Sequence, residues 1–129
     1  MTEPRTVADI MTRRVIYLRE EDNLALIADG MEHFGLRHLP VLDGDRLVGM
    51  ITHRDMLKIL AGGEHREGTA FVASVMTRDP IAIGPDTAIA DAARILLKAR
   101  FGCLPVVDED RNVIGIVTEH DFLKVLAGE

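Results

Sequence analysis

The chain is written twice, and this duplication limits its fold more than any other feature. Val7-Ala8-Asp9-Ile10-Met11-Thr12-Arg13 recurs as Val72-Ala73-Ser74-Val75-Met76-Thr77-Arg78, and Leu39-Pro40-Val41-Leu42-Asp43 recurs as Leu104-Pro105-Val106-Val107-Asp108. After one inserted residue, read as Asn112, Gly49-Met50-Ile51-Thr52-His53-Arg54-Asp55 recurs as Gly115-Ile116-Val117-Thr118-Glu119-His120-Asp121. The ends match as well, Leu60-Ala61-Gly62 with Leu126-Ala127-Gly128. One repeat spans 7–62 and the other 72–128. The segment 63–71 between them begins Gly63-Glu64-His65-Arg66-Glu67-Gly68 and reads as a polar linker.

Each repeat reads as β-α-β-β-α. Val15–Leu18 and Ile81–Ile83 are short apolar strands, and Asp22 and Asp86 stand where a helix N-cap belongs. Behind them, Leu24, Ile27, Ala28 and Met31 fall at helical spacing, as do Ile89, Ala92, Ala93 and Leu96. A hairpin follows, turning through Asp43-Gly44-Asp45 in the first copy and through 108–112 in the second. Closing helices at 53–61 and 119–127 end at Gly62 and Gly128. The fold class is therefore α+β. A unit of this size is marginal alone, so the two repeats are expected to pack about a pseudo-two-fold axis into one module.

Composition removes several function classes. The 129 residues carry 21 acidic and 15 basic side chains, a net charge of −6, with one Tyr, four Phe and no Trp. Duplex binding needs a basic face and single-strand binding needs stacking aromatics, so nucleic acid is not an expected partner. No apolar run reaches a membrane span, and the start shows no basic stretch followed by an apolar one. The expectation is a cytoplasmic protein without membrane contact. Cys103 stands alone and reads as a small apolar residue leading into a strand. The histidines 33, 38, 53, 65 and 120 lack zinc-site spacing, so no metal is expected. Neither a Gly-rich phosphate loop nor a nucleophile elbow is present, and catalysis has no visible machinery.

The recurring Gly-x-x-Thr-x-x-Asp carries the chemistry. Its Thr ends a strand and its Asp lies in the first turn of the next helix, so a hydroxyl and a carboxylate meet at a helix N-terminus. A carboxylate there accepts from the two hydroxyls of a ribose, and the helix dipole favours a phosphate nearby. The same spacing also describes ordinary capping, with Thr52 or Thr118 as N-cap and Asp55 or Asp121 at the third position.

Met-Thr before a strand, Leu-Pro-Val-x-Asp and Gly-x-x-Thr-x-x-Asp, in that order and twice over, make the chain resemble a stand-alone pair of CBS domains, the module named after cystathionine β-synthase. The resemblance runs from about Val7 to Leu126. It implies a regulatory module, not an enzyme and without a required cofactor, that senses an adenosine ligand such as AMP, ADP or ATP, or S-adenosylmethionine. The alternative is a dimerisation module with empty sites.

The resemblance also implies site residues. Asp55 and Asp121 would hold ribose, with Thr52 and Thr118 helping at ribose or phosphate. Adenine would lie in an apolar slot read by backbone groups near Thr12, Ile16 and Tyr17 in one copy, and near Thr77, Ile81 and Ala82 in the other. Each site would be mixed, the Thr-x-x-Asp of one copy facing the first strand of the other. Basic residues at Arg37, His38, Arg54 and His120 would face phosphates, and Gly102-Cys103 departs from that pattern. The module would act on a separate effector or through its own assembly. A homodimer with two-fold symmetry is expected from the family and from apolar residues on the closing helices: Met56, Ile59 and Leu60 in one, Phe122, Val125 and Leu126 in the other.

Overall fold

The computed structural model describes residues 3–23, 27, 31–33, 37–62, 71–99 and 102–129. The linker at 63–70, Leu24 and Ala28 of the first long helix, and the side chains of Ile59 and Leu60 lie outside the described residues. The chain forms two compact units: a central unit, Ile16–Pro80, and a C-terminal unit joining Met1–Val15 to Ile81–Glu129. Both combine antiparallel strands with helices, giving an α+β fold.

In the central unit β1 (His38–Asp43) and β2 (Arg46–Thr52) form a hairpin, and the two-residue β3 (Thr77–Arg78) adds to β2. The register pairs His38 with Thr52 and Asp43 with Arg46, and slips between Val41 and Leu42. Helices α1 (His53–Gly62) and the single turn α2 (Val72–Val75) belong to the same unit. Its core gathers Leu18, Ile27, Met31, Leu39, Val41, Ile51, Met56, Val72 and Met76.

In the C-terminal unit β4 (Cys103–Val107) and β5 (Val113–Thr118) form the matching hairpin, which slips between Val106 and Val107. A 3-10 turn at Val7–Asp9 and helices α3 (Ile89–Lys98) and α4 (Glu119–Ala127) complete the unit. Its core gathers Val7, Met11, Ile83, Ala92, Leu96, Leu104, Val106 and Val117.

The boundary between units is not the boundary between repeats. The opening segment of each repeat lies in the unit built on the other repeat's hairpin. Thr6 bridges Ala88 and Thr12 bridges Ile116, while Phe71 bridges Asn23 and Thr77 pairs with Met50. The hydrogen bonds repeat this exchange. Val7 and Ala8 N–H donate to the carbonyls of Thr87 and Pro85, and Val72 and Ala73 N–H donate to those of Asp22 and Glu20.

Three local expectations change. The opening strands shrink to one parallel bridge each, Leu18 to Val41 and Ile83 to Val106. Leu18 N–H donates to the Pro40 carbonyl at 2.9 Å and Ile83 N–H to the Pro105 carbonyl at 3.0 Å. The next ladder bond toward the N-terminus would need an N–H from Pro40 or Pro105, which proline lacks. The proline of Leu-Pro-Val thus stops the strand one step below Leu18 and Ile83.

Asp86 is not an N-cap: α3 begins after Ala88, which makes no side-chain cap, and the Ile89 N–H goes to the Arg5 carbonyl instead. Asp22 accepts the Arg19 N–H at 2.8 Å and closes a turn. Finally, the insertion is not Asn112. The Asp108 N–H donates to the Asn112 carbonyl, so Asn112 stands opposite Asp108 as Arg46 stands opposite Asp43, and the longer loop is 109–111. Asp108 organises that loop, accepting from the N–H groups of Asp110 and Asn112 at 2.9 Å. These bonds hold its carboxyl below the usual carboxylate range.

Candidate functional site

Each closing helix starts on a Thr-x-x-Asp that closes as a reciprocal cap. In the central unit Thr52 N–H donates to Asp55 Oδ2 at 3.0 Å, and Asp55 N–H donates back to Thr52 Oγ1 at 3.1 Å. In the C-terminal unit Thr118 N–H donates to Asp121 Oδ2 at 2.9 Å and Thr118 Oγ1 lies 3.3 Å from the same oxygen, within a closed capping box. Four donors at each helix N-terminus lack an intrahelical partner, and this arrangement satisfies some of them. Both carboxylates are half-buried, and the cap uses only Oδ2. Capping leaves the second oxygen out of its geometry.

The same sheets bring the Met-Thr segments to these helix starts. Thr77 pairs with Met50, two residues before Thr52 on β2, and Thr12 bridges Ile116, two residues before Thr118 on β5. Thr12, Thr118, His120 and Asp121 therefore belong to the C-terminal unit, and Thr77, Arg37, His38, Thr52, Arg54 and Asp55 to the central unit. Of the remaining sequence candidates, Ile16 and Tyr17 fall in the central unit and Ile81 and Ala82 in the C-terminal unit.

Methionine and glycine explain why the motifs travel together, a role the sequence reading missed. A Cβ on Gly49 would stand 2.6 Å from Met76 Sδ and 3.0 Å from the Thr77 carbonyl oxygen. On Gly115 it would stand 2.5 Å from Met11 Sδ and 3.1 Å from the Thr12 carbonyl oxygen. The glycine of Gly-x-x-Thr-x-x-Asp is the seat of the other repeat's Met-Thr. Both partners were visible as recurring residues, but their contact crosses the repeats and so has no local signal.

Ile16 and Ile81 occupy equivalent repeat positions and are 57% and 54% exposed, so an apolar surface is left open at the same place in both copies. Neither Pro40 nor Pro105 can donate to the carbonyls there. Tyr17 is exposed too, with the Arg19 guanidinium 5.6 Å from its ring centroid.

Charge separates the two helix starts. Arg37 and Arg54 are exposed in the central unit, and the Arg37 carbonyl accepts the His53 N–H at 2.8 Å, which puts residue 37 beside the first turn of α1. In the C-terminal unit Gly102 plays that backbone part toward Glu119, at 3.3 Å, and the first turn carries Glu119, His120 and Asp121. Cys103 faces Thr118 across the hairpin and is buried, and desolvation pushes its thiol up to about 12. It is a neutral apolar group there. Arg78, next to Thr77, makes a long exposed contact of 3.8 Å with Glu20, of a kind that contributes little to stability.

A cavity of about 810 Å³ in the C-terminal unit is lined by residues 82–87 and 107–110. It lies by the hairpin loop, at the end of β4 away from Thr118, and Ala82 is the one site candidate on its wall. Among the described residues no group of His, Cys, Asp and Glu is placed to hold a metal ion, and no helix is long and apolar enough to cross a membrane.

Comparison with known proteins bears on this geometry. MJ1225 of Methanocaldococcus jannaschii is 36% identical over 97% of this chain, which covers 48% of that protein. The chain spans about half or less of the length of the curated relatives it matches. Two solved structures superpose over nearly the whole of both chains. The CBS domain pair of MJ0100, in complex with 5′-methylthioadenosine and S-adenosyl-L-methionine, has a TM-score of 0.83 at 30% identity, covering 95% of this chain and 96% of that one. CBSX2 of Arabidopsis thaliana, in complex with AMP, has a TM-score of 0.86 at 28% identity, covering 97% and 98%. The model of the CBS domain matches residues 7–62 and again 72–128, so the two repeats are two CBS domains and the chain belongs to that family.

Proposed function

We propose that this CBS pair is a regulatory module that binds an adenosine ligand of the AMP, ADP or ATP class and catalyses nothing. The observation that carries the reading is the juxtaposition found in both units: a half-buried Thr-x-x-Asp at a helix N-terminus, with the Thr of the other repeat's Met-Thr two residues away along the sheet. In this reading Asp55 and Asp121 keep their caps through Oδ2 and accept from ribose hydroxyls with the remaining carboxylate capacity. Thr52 with Thr77, and Thr118 with Thr12, line the ribose or phosphate side. Arg37, His38 and Arg54, and His120 in the other unit, face phosphate. The exposed Ile16, Tyr17 and Ile81 and the half-buried Ala82 are the base-lining candidates, where proline leaves backbone groups outside a strand ladder. The ligands bound by CBSX2 and by the MJ0100 pair share an adenosine group, which supports the class without selecting its member.

A second reading, a dimerisation module with empty sites, is favoured by one observation: the Thr and Asp groups of both motifs are already engaged in reciprocal capping bonds. Asp55→Asn and Asp121→Asn separate the two. Asn keeps an acceptor oxygen for the cap but removes the charge that strengthens a ribose contact, a difference of about 1.5–3 kcal/mol or roughly 10–100-fold in affinity. Calorimetric titration with AMP, ATP and S-adenosylmethionine is expected to give binding by the parent and weakened binding by each variant. A parent that takes up none of the three, and whose midpoint of thermal unfolding none of them raises, sinks the reading. Nucleotide consumed during the titration would contradict the non-catalytic role.

A further inference from the structure

The two base-lining segments share a backbone and differ in side chains. Leu18 and Ile83 are both buried, and their carbonyls accept the N–H groups of Leu42 and Val107, each at 2.8 Å. The turn that follows repeats as well. Asp22 N–H donates to the Arg19 carbonyl at 3.1 Å, and Thr87 N–H to the Gly84 carbonyl at 3.2 Å. In an extended segment the two residues flanking a buried one share the opposite face. That face carries Tyr17 and Arg19 in the first copy, and Ala82 and Gly84 in the second.

In the first copy the pair is assembled. The Arg19 guanidinium stands 5.6 Å from the centroid of the Tyr17 ring, and its Nη2 donates to the Tyr17 hydroxyl at 3.5 Å. Arg19 is itself fixed, because its N–H donates to the Asp22 carboxylate at 2.8 Å. An exposed ring samples several rotamers, and a guanidinium against one face favours the rotamer it touches. A planar base then stacks on a ring already in place, without the cost of ordering it. The second copy has space instead. Ala82 and Gly84 stand on the wall of the cavity of about 810 Å³, and a Cβ on Gly84 would meet no atom within 4 Å. Gly84 is not among the glycines of positive φ, so its backbone accepts any side chain.

Building on the adenosine-binding reading above, we infer that Arg19 is a positioning residue that holds Tyr17 as a stacking surface for the purine base. One adenosine site then grips its base with an aromatic ring and the other does not. Tyr17 is the one tyrosine of the chain and tryptophan is absent, so tyrosine emission reports this place alone. Titration of the full chain with AMP, followed in parallel by calorimetry and by tyrosine emission, tests the assignment. The emission is expected to change with the filling of one site only. Tyr17→Ala should weaken that site roughly tenfold, the usual effect of removing a ring from under a base, and spare the other. Arg19→Met keeps the length without the charge and should weaken the same site about 2–5-fold, with Arg19→Lys between it and the parent. The pair should also transplant. In a Tyr17→Ala background, Ala82→Tyr with Gly84→Arg should tighten the other site and bring the emission under its control, and Ala82→Tyr alone should do less. A parent that gives no heat with AMP sinks the adenosine reading and this assignment with it. Heat without any change in tyrosine emission overturns the assignment alone. So does an Arg19→Met variant that binds as tightly as the parent while Tyr17→Ala binds weakly.

Discussion

The central and C-terminal units share a backbone plan and differ in what they present. Both hang a Met-Thr segment from the other repeat on the glycine of a β-hairpin, slip register at the same residue of the hairpin, and start the closing helix on a Thr-Asp cap. Around that frame the residues diverge: Arg37 and Arg54 against Gly102 and His120, His38 against Cys103, Glu32 against Leu97. What is held twice is what closes a core or ends a strand. What changed lies beside the helix start and at exposed helical positions such as Glu32 and Leu97.

The shared frame is the easiest part to break. Gly49→Ala and Gly115→Ala each push a Cβ into a methionine side chain and a backbone oxygen near 3 Å, and only the methionine has room to yield. Overpacking of this kind costs about 1–3 kcal/mol. Urea unfolding should show nearly equal losses for the two variants, because the two contacts are nearly equal. Adding Met76→Ala to Gly49→Ala, or Met11→Ala to Gly115→Ala, should cost less than the sum of the single changes, since each partner is then already gone. Strict additivity would mean that methionine and glycine do not meet across the repeats.

The divergent rim should separate the two sites by charge. If the central unit's site takes the more highly phosphorylated ligand, Arg54→Ala removes a guanidinium–phosphate contact worth about 1.5–3 kcal/mol, roughly 10–100-fold, from the tighter of two ATP sites. His120→Ala, which removes an imidazole and not a guanidinium fork, should change the weaker site far less. Two indistinguishable sites in the parent would erase the distinction, as would Arg54→Ala acting on the weaker one.

Cys103 sharpens the contrast from the other side. Its thiol sits where the central unit has half-buried His38, and burial raises it from 9.0 to about 12. A raised thiol leaves stability unchanged below the ordinary value. As pH climbs from about 9 toward 12, the unfolded chain loses its thiol proton first and the fold weakens. Cys103→Ser should flatten that stretch of the stability profile, and a thiol reagent should label the folded parent no faster than the unit opens. Prompt labelling at neutral pH would contradict the buried, neutral thiol.

Much of this was legible in the sequence because duplication doubles each local signal. The hairpins, the closing helices, the Gly128 stop and the buried Ala92 and Leu96 follow from periodicity and turn residues seen twice. What was not legible depends on partners distant in sequence. The exchange of opening segments pairs residues of different repeats, and no window of sequence contains both. Asp86 looked like a cap, but the Arg5 carbonyl serves that helix from the other end of the chain. The short opening strands followed from Pro40 and Pro105, whose missing N–H matters only once the neighbouring strand is known. The Thr-x-x-Asp was visible as chemistry and as a cap at once, and in the structure it closes as a cap.

The smallest difference is in the hairpin loops, where two solutions to one turn predict effects of opposite sign. The central loop has two residues, Gly44-Asp45, and Gly44 takes φ of +64°. The C-terminal loop has three, and there the left-handed residue is Arg111 at φ of +68°. A side chain at such an angle crowds its own carbonyl at a cost of about 1 kcal/mol, which glycine avoids. Gly44→Ala should therefore destabilise the chain by about 1 kcal/mol, although a Cβ there meets no atom within 4 Å, so the loss is conformational and not steric. Arg111→Gly should do the reverse and stabilise by a few tenths up to about 1 kcal/mol, the gain trimmed by the added freedom of glycine in the unfolded chain. The Asp108 carboxylate keeps its bonds to the N–H groups of Asp110 and Asn112 in that variant, so the turn itself persists. Thermal unfolding of the two single variants and their combination checks the pair. The loops lie in separate units and should add. Two losses, or two gains, would show that the loops are not equivalent solutions to the same turn.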